Sequence, residues 1–217
     1  MELIGMLDSP YVRRVAVAML KLGLPLKHRP ISLFRHVDEF RGYNPLLKAP
    51  TLIADDGTVL VDSTLIIDYL ASLASSGDGL MPLDASARLP ALRSLGLSLL
   101  VCEKAVQAHY ERVLRPAEKQ HEPWINRVHA QLVGGLCLLE KDVASTDGWL
   151  FEERLTMPDI SLACAFAFTQ SHLSDIVDPA TYPAIAAFCA RAEALPEFLA
   201  APPVDGVTAP AHLGGRS

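Results

Sequence analysis

The sequence lacks the features of a membrane or exported protein. No stretch of the 217 residues approaches the roughly 20 consecutive apolar residues that span a bilayer. Met1–Asp8 shows no basic region ahead of an apolar run, so no signal peptide is predicted. The formal net charge is −6, without a block of like charge, which argues against nucleic acid as a partner. We expect a cytoplasmic protein that binds neither nucleic acid nor membrane.

Metal and nucleotide motifs are also missing. The four cysteines are far apart and form no CxxC pair or Cys/His spacing that binds zinc. No glycine-rich phosphate-binding motif is present. Free cysteines are usually buried, so Cys102, Cys137, Cys164 and Cys189 are predicted to be buried, reduced thiols. No metal is expected.

The first part of the chain alternates short apolar runs with helical periods. An Asp56-Gly57 pair between two short apolar runs predicts a hairpin. A β-α-β unit followed by a hairpin and a helix is the order of a thioredoxin-like α/β domain. The predicted elements are strand 3–7, helix 10–22, strand 26–33, an irregular helix over 35–43, strands 51–54 and 59–61, and helix 63–73.

Beyond this part only helical patterns appear, which predicts an all-α helical bundle as a second domain. The predicted helices cover residues 87–115, 124–143, 157–173 and 183–194. We therefore predict domains at 1–75 and 87–201, joined by a linker at 76–86 and followed by a flexible tail at 202–217.

The segment from Asp8 to Arg14 lies where the first strand should turn into the first helix. Ser9 is a favourable N-cap and Pro10 suits the first helical position. Ser9 can simply cap the helix. Alternatively, the helix N-terminus favours a nearby anion, and the serine hydroxyl can donate a hydrogen bond to a thiolate placed there.

Two further segments can likewise have either a purely structural role or a ligand-binding role. Asn44–Leu52 can be a turn bounded by prolines, or Pro50 can follow a cis bond that presents the Ala49 backbone to an extended peptide. At the start of the next helix, Ser63 or Thr64 can be an N-cap. Alternatively, Ser63 can hold a carboxylate while Asp62 holds an ammonium group, as at the amino-acid end of a peptide.

Together, these segments resemble the N-terminal domain of glutathione S-transferases. The shared pattern is Ser-Pro-Tyr-Val-Arg-Arg, then Asn-Pro-x-x-Lys-x-Pro-x-Leu, then Asp-Ser before an apolar helix. The resemblance is strong over residues 1–75. In the helical part, Thr156-Met157-Pro158-Asp159 resembles the N-capping box of the family, with Asp replacing the commoner Glu.

The resemblance implies roles for individual residues. Ser9 matches the catalytic serine of the tau-like and bacterial members. Lys48 matches the residue near the glycyl carboxylate of glutathione, and the Ala49 backbone matches the partner of its cysteinyl part. Asp62 and Ser63 match the receptors of the γ-glutamyl end. Because no cysteine lies near Ser9, thiol-exchange chemistry is not expected.

The function expected from the resemblance is conjugation of reduced glutathione, a co-substrate, to an apolar electrophile by a homodimeric detoxification enzyme. Candidate wall residues for the second substrate are Tyr11, Ser98, Cys102 and Tyr110, whose alternative role is ordinary helical packing. The alternatives for the whole protein are a glutathione-dependent isomerase or peroxidase, or a non-catalytic ligand-binding or protein-interaction member of the fold.

Overall fold

The computed structural model describes residues 1–74, 79–204 and 206. Contacts divide the chain into two compact units. Of the described residues, the first unit comprises those in 1–79 together with 193–204 and 206, and the second comprises residues 80–192. Parts of the predicted linker at 76–86 and of the predicted tail at 202–217 lie outside the described residues.

The first unit has the predicted thioredoxin-like order, which confirms the fold class. Its four-stranded sheet has the order β2-β1-β3-β4, in which β1 is parallel to β2 and the pairs β1–β3 and β3–β4 are antiparallel. The elements are β1 Glu2–Ile4, α1 Pro10–Lys21, β2 Lys27–Arg29, α2 Val37–Tyr43, β3 Thr51–Ile53, β4 Val59–Val61 and α3 Ser63–Leu73.

The register of the sheet aligns three loops at one end. Ile4, the last residue of β1, lies opposite Thr51, the first residue of β3. Thr51 in turn lies opposite Val61, the last residue of β4. The chain that follows β1, the chain that precedes β3 and the chain that follows β4 therefore all leave the sheet at the same end.

Helix α1 packs its apolar face into the first unit. Val12, Val15, Ala16 and Met19 are fully buried at the predicted helical spacing, and α1 contacts α3. After the helix, Gly23 adopts a positive φ of 66°, as expected for a residue that ends a helix.

Among the described residues of the second unit, all regular secondary structure is helical, which confirms the predicted all-α domain. Its long helix α4 packs against α5 and α6. None of the helices in the described ranges is long and apolar enough to cross a membrane. The helices are α4 Ala85–Val113, α5 Glu122–Ala144, α6 Met157–His172 and α7 Pro183–Glu193.

The prediction that all four cysteines are buried is wrong for Cys137. Its neighbours Leu136 and Leu139 on α5 are fully buried, whereas Cys137 and Leu138 are exposed. Because successive helical residues point about 100° apart, Cys137 lies on the outer face of an amphipathic helix. The other three cysteines are buried.

Between Glu193 and Ala201 the chain contacts α1, a return that the sequence did not suggest. A short helix, α8 at Pro196–Leu199, packs on α1. The fully buried guanidinium of Arg13 donates to both carboxylate oxygens of Glu193 at 2.6 Å and to the Ala201 carbonyl at 2.7 Å. This bidentate ion pair explains why residues from Glu193 to Ala201 group with the first unit.

The predicted capping box is present at the start of α6. The Asp159 carboxylate accepts hydrogen bonds from the Thr156 N–H at 2.7 Å, from the Thr156 hydroxyl, and from the Leu150 N–H at 2.8 Å. Burial raises the pKa of Asp159, and these hydrogen bonds oppose the shift. The residue thus fixes both the helix start and the preceding loop.

We predict that Asp159→Ala destabilises the protein strongly. The substitution leaves the Leu150 and Thr156 N–H groups without their acceptor, and an orphaned buried donor costs about 1–3 kcal/mol. The expected loss is therefore about 2–4 kcal/mol of unfolding free energy, measured by urea denaturation. As a control, Asp84→Ala removes an exposed N-cap from α4 and should cost about 1 kcal/mol. Equal losses in the two variants would contradict the prediction.

Candidate functional site

Ser9 is the N-cap of α1. Its hydroxyl oxygen accepts a long hydrogen bond of 3.4 Å from the Val12 N–H, and its carbonyl accepts from the Arg13 N–H at 2.9 Å. Ser9 is half-buried, and the first turn of α1 contains no acidic residue. Among the described residues, no acceptor receives the Ser9 O–H. This hydroxyl can therefore donate to a group placed at the helix N-terminus.

Gly5 joins the Ser9 segment to the segment that contains Ala49. It has a φ of 137°, and a Cβ on it would lie 2.7 Å from Val12 Cγ2 and 3.2 Å from Ala49 Cβ. Only glycine suits both this backbone conformation and this close packing. The N-terminal turn of α1 and the chain before β3 consequently approach the end of β1 from two sides.

The loop before β3 is held by two polar side chains that sequence reasoning left without a role. The buried Asn44 amide donates to the Thr51 hydroxyl at 2.8 Å, and its carbonyl oxygen accepts from the Leu46 N–H at 2.9 Å. The Thr51 hydroxyl donates to the Lys48 carbonyl at 2.6 Å. These bonds fix the backbone on both sides of Lys48.

Lys48 and Ala49 stand at the end of this loop. The Ala49–Pro50 peptide bond is cis, as the sequence had suggested. Lys48 is exposed, and within the described ranges its ammonium group makes no ion pair. The backbone N–H and C=O of Ala49 likewise find no hydrogen-bond partner among the described residues. Both groups can therefore bind a ligand.

The start of α3 differs from the prediction in its N-cap. The cap is Asp62 and not Ser63 or Thr64, because the Asp62 carboxylate accepts from the Thr64 N–H at 2.8 Å and from the Leu65 N–H at 3.3 Å. Asp62 has a positive φ of 71°. Ser63 is the first helical residue and only 4% exposed.

Arg14 connects α1 to this helix start. Its side chain is fully buried, and Nη1 donates to the Ser63 hydroxyl at 2.8 Å and to the Thr64 hydroxyl at 3.1 Å. The sequence motif contained Arg14 but gave it no role. The available signal was an arginine between the apolar residues Val12 and Val15 of a helix, which marks a charge that must find polar partners if buried.

His28, on β2, places an ionisable group next to Gly5, the residue that follows β1. One ring nitrogen, Nε2, lies 2.7 Å from the Gly5 carbonyl oxygen. Burial lowers the pKa of His28, and the bond to Gly5 opposes this shift. The ring is therefore neutral near pH 7 and positions the backbone at the end of β1.

The four candidate residues for the second substrate differ in exposure. Tyr11 is half-buried on α1, Tyr110 is 38% exposed on α4, and Ser98 and Cys102 on α4 are fully buried. The Ser98 hydroxyl donates to the Ser94 carbonyl at 2.9 Å within the helix. Their assignment to a substrate pocket stays a prediction.

No group of three or more His, Cys, Asp or Glu side chains in the described part of the chain is arranged to hold a metal ion. The polar groups that the described residues place at this end of the sheet include hydroxyls, backbone amides, the Lys48 ammonium group and the Asp62 carboxylate. Such groups suit an extended peptide with charged ends better than a metal.

Two family models match the chain in the same order as its units. Residues 3–77 match the glutathione S-transferase N-terminal domain, and residues 122–191 match the glutathione S-transferase C-terminal domain. A solved glutathione transferase family member from Pseudomonas fluorescens Pf-5, with bound glutathione, is 30% identical, with a TM-score of 0.79 over 94% of this chain and 98% of that chain. The chain belongs to the glutathione S-transferase family.

Two curated proteins are also similar to this chain. The GST-like protein YibF of Escherichia coli is 26% identical over 77% of this chain and 81% of its own length. The maleylacetoacetate isomerase of Pseudomonas aeruginosa is 29% identical over 69% of this chain and 72% of its own length. The chain is therefore similar to a protein named for an isomerisation as well as to glutathione transferases.

We predict that Gly5→Ala destabilises the first unit and weakens the site. The added methyl group would lie 2.7 Å from Val12 Cγ2, which is closer than van der Waals contact allows, and the φ of 137° disfavours any residue with a side chain. The expected loss is about 1–3 kcal/mol of unfolding free energy, measured by urea denaturation. The control is Gly42→Ala, at a helical glycine where a Cβ meets nothing within 4 Å. A Gly5→Ala protein as stable as this control would contradict the packing argument.

We also predict that His28 makes stability depend on pH below neutrality. Because its pKa is lowered in the folded protein, the unfolded chain takes up a proton first as the pH falls through the ordinary value near 6.5. His28 thus costs stability progressively from about pH 7 down to its folded pKa. The expected result for His28→Gln is a flatter dependence of unfolding free energy between about pH 7 and 5. An unchanged slope would contradict this role.

Proposed function

We propose that this chain is a glutathione transferase that stabilises the thiolate of glutathione with Ser9 and transfers it to an apolar electrophile. The observation that carries the proposal is the register Ile4–Thr51–Val61. It brings the Ser9, Ala49 and Ser63 segments to one end of the sheet. Binding of glutathione in a solved family member with the same fold supports the same conclusion.

Ser9 acts on the sulfur in this proposal. The N-terminus of α1 carries a partial positive charge, and the Ser9 O–H donates to the thiolate. Lowering the pKa of the thiol by about two units corresponds to ~2.7 kcal/mol of preferential stabilisation of the thiolate. The proton passes to solvent, and the sulfur then forms a bond to the electrophilic carbon as the leaving group departs.

The remaining groups orient the tripeptide. The N–H and C=O of Ala49 pair with the cysteinyl residue in the manner of an added strand. The ammonium group of Lys48 attracts the glycyl carboxylate. At the other end, the Ser63 hydroxyl and N–H bind the γ-glutamyl carboxylate, and the Asp62 carboxylate binds the γ-glutamyl ammonium group. Positioning of both reactants then supplies part of the rate enhancement.

Asp62 has two tasks in this arrangement. Its Oδ1 accepts from the N–H groups of Thr64 and Leu65. A carboxylate has lone pairs on both oxygens, so Oδ2 can accept from an ammonium group while Oδ1 caps α3. The exposed position of Asp62 makes this second interaction accessible to a ligand.

The second substrate, the homodimer and the cytoplasmic location rest on the family resemblance and are part of this proposal. Tyr11, Ser98, Cys102 and Tyr110 remain the proposed contacts of the electrophile. Cys102 and Tyr110 each take part in interactions with other residues, so a substrate would meet side chains that are already positioned.

We predict that Ser9→Ala lowers the rate and leaves binding largely intact. One hydrogen bond to a charged group is lost, which corresponds to about 1.5–3 kcal/mol or roughly a 10–100-fold change. With 1-chloro-2,4-dinitrobenzene at pH 6.5, kcat/KM should fall by this factor. The pKa of bound glutathione, followed by thiolate absorbance, should rise. The Kd for glutathione should change by less than about threefold, since most ligand contacts remain.

The control is Ser72→Ala, which removes an exposed hydroxyl that bonds only within α3. This variant should retain the rate of the unchanged protein. A Ser9→Ala enzyme with full activity would overturn the role of Ser9. Glutathione binding without turnover of any electrophile would favour the non-catalytic carrier, and absence of binding would favour an interaction module.

Isomerisation is the second candidate, favoured by the likeness to the Pseudomonas aeruginosa maleylacetoacetate isomerase. The Ser-Ser-Cys motif expected of zeta-like isomerases is absent here, since Asp8 precedes Ser9 and Pro10 follows it. Both reactions need the same thiolate. Assaying glutathione-dependent cis–trans isomerisation of maleylacetoacetate beside conjugation distinguishes them, because isomerisation regenerates free glutathione whereas conjugation consumes it.

A further inference from the structure

We propose that Arg13 is a positioning residue for Ser9, which it holds in place through the contacts of its guanidinium with Glu193 and Ala201. The inference rests on the proposed function, in which Ser9 stabilises the thiolate of glutathione. It adds a residue that acts through the backbone of α1, together with a partner that lies 180 positions further along the chain.

The first turn of α1 is only weakly held by its own residues. The Ser9 oxygen accepts from the Val12 N–H at 3.4 Å, longer than the usual range of about 2.7–3.2 Å for such bonds. Pro10 has no N–H to donate, and the turn contains no acidic side chain to interact with the positive end of the helix. Because helix ends fray, a serine that must stay within reach of a thiolate needs support from outside this turn.

Arg13 is placed to give this support. Its backbone N–H donates to the Ser9 carbonyl at 2.9 Å, so the two residues are neighbours across one turn of the helix. A helical side chain is inclined towards the helix N-terminus and covers the turn before its own Cα. The Arg13 side chain therefore extends along the turn that begins at Ser9, and whatever fixes this side chain also restrains the turn.

The contacts of the Arg13 guanidinium, which we call the Arg13 clasp, leave it little freedom. Nη1 and Nη2 donate to the two carboxylate oxygens of Glu193 at 2.6 Å, and Nε donates to the Ala201 carbonyl at 2.7 Å. The guanidinium carbon also lies 5.3 Å from the centre of the Phe198 ring. Three charge-assisted hydrogen bonds and an aromatic face thus fix a buried side chain from three directions.

A second ion pair between α1 and the same segment provides an internal comparison. Lys21, in the last turn of α1, lies 3.5 Å from Glu197. This pair holds the far end of the helix, about three turns from Ser9. Both pairs join α1 to the chain around α8, but only the Arg13 clasp acts on the turn of Ser9. Loss of the Lys21 pair should therefore leave the sulfur unaffected.

The test measures the pKa of glutathione bound to the full chain, followed by thiolate absorbance, together with kcat/KM for 1-chloro-2,4-dinitrobenzene. In Arg13→Met the first turn loses the clasp, so the pKa of bound glutathione should rise by about 0.5–1 unit and kcat/KM at about pH 6.5 should fall roughly 3–10-fold. The Kd for glutathione should change by less than about threefold. In the matched control Glu197→Gln, the pKa should change by less than about 0.2 unit.

Glu193→Gln distinguishes positioning from a direct effect of charge. It removes a negative charge, whereas Arg13→Met removes a positive one, so a purely electrostatic effect would lower the pKa of bound glutathione in the first variant and raise it in the second. Positioning raises the pKa in both, because glutamine offers only one of the two acceptors that the guanidinium needs. The double variant Arg13→Met/Glu193→Gln should resemble Arg13→Met alone, since both substitutions break the same contact.

Arg13→Lys covers the case in which Arg13→Met does not fold. Its ammonium group keeps the charge but cannot form the bidentate pair, so the pKa of bound glutathione should again rise, by less than in Arg13→Met. Circular dichroism and urea denaturation establish that each variant is folded before titration.

The outcomes separate this inference from the proposed function. If the unchanged protein does not lower the pKa of bound glutathione below that of free glutathione, the proposed function fails and this inference fails with it. If the unchanged protein does lower it, but folded Arg13 and Glu193 variants give the same pKa as Glu197→Gln, the clasp is structural and only this inference is overturned. Opposite shifts in Arg13→Met and Glu193→Gln also overturn it, because they would assign the effect to charge.

Discussion

The site depends on the register of three short strands. Leu3, on β1, pairs with Leu52, on β3, and both side chains are fully buried. A slip of one residue between these strands would turn their side chains to opposite faces of the sheet. Such a slip would remove Leu52 from the core and separate the Ser9 and Ala49 segments. Burial of two leucines therefore determines which polar groups meet at the end of the sheet.

Local features were predictable because they depend on neighbouring residues. The helical period of α1, the turn at Gly57 and the Thr156–Asp159 capping box all follow from side chains within a few positions of one another. The three segments proposed to bind glutathione were found through resemblance to a family. The partners of Arg13 and Arg14 were not predictable, because they lie 180 and 49 positions away. The N-cap of α3 was predicted as Ser63 or Thr64, one or two residues too late, whereas the cap is Asp62, which has a positive φ.

In the proposed function, helix capping and ligand binding use the same groups of this fold. The Ser9 oxygen accepts from the N–H of Val12, which leaves its proton to donate. Asp62 accepts from the N–H groups of Thr64 and Leu65, which leaves the Ser63 N–H available. Each cap thus satisfies part of a helix N-terminus and leaves one or more donors at its edge. The positive ends of two helices in one unit can in this way hold two anions, a thiolate and a carboxylate.

The adjacent arginines of α1 connect this helix to two different parts of the chain. Arg13 meets a carboxylate in a bidentate ion pair, so its charge is matched within the protein and fixes the chain near Glu193. Arg14 donates instead to the hydroxyls of Ser63 and Thr64. A hydroxyl that accepts from a cation becomes a better donor, because hydrogen bonds in a chain polarise one another. The contact that joins α1 to α3 therefore also makes the Ser63 hydroxyl a stronger hydrogen-bond donor.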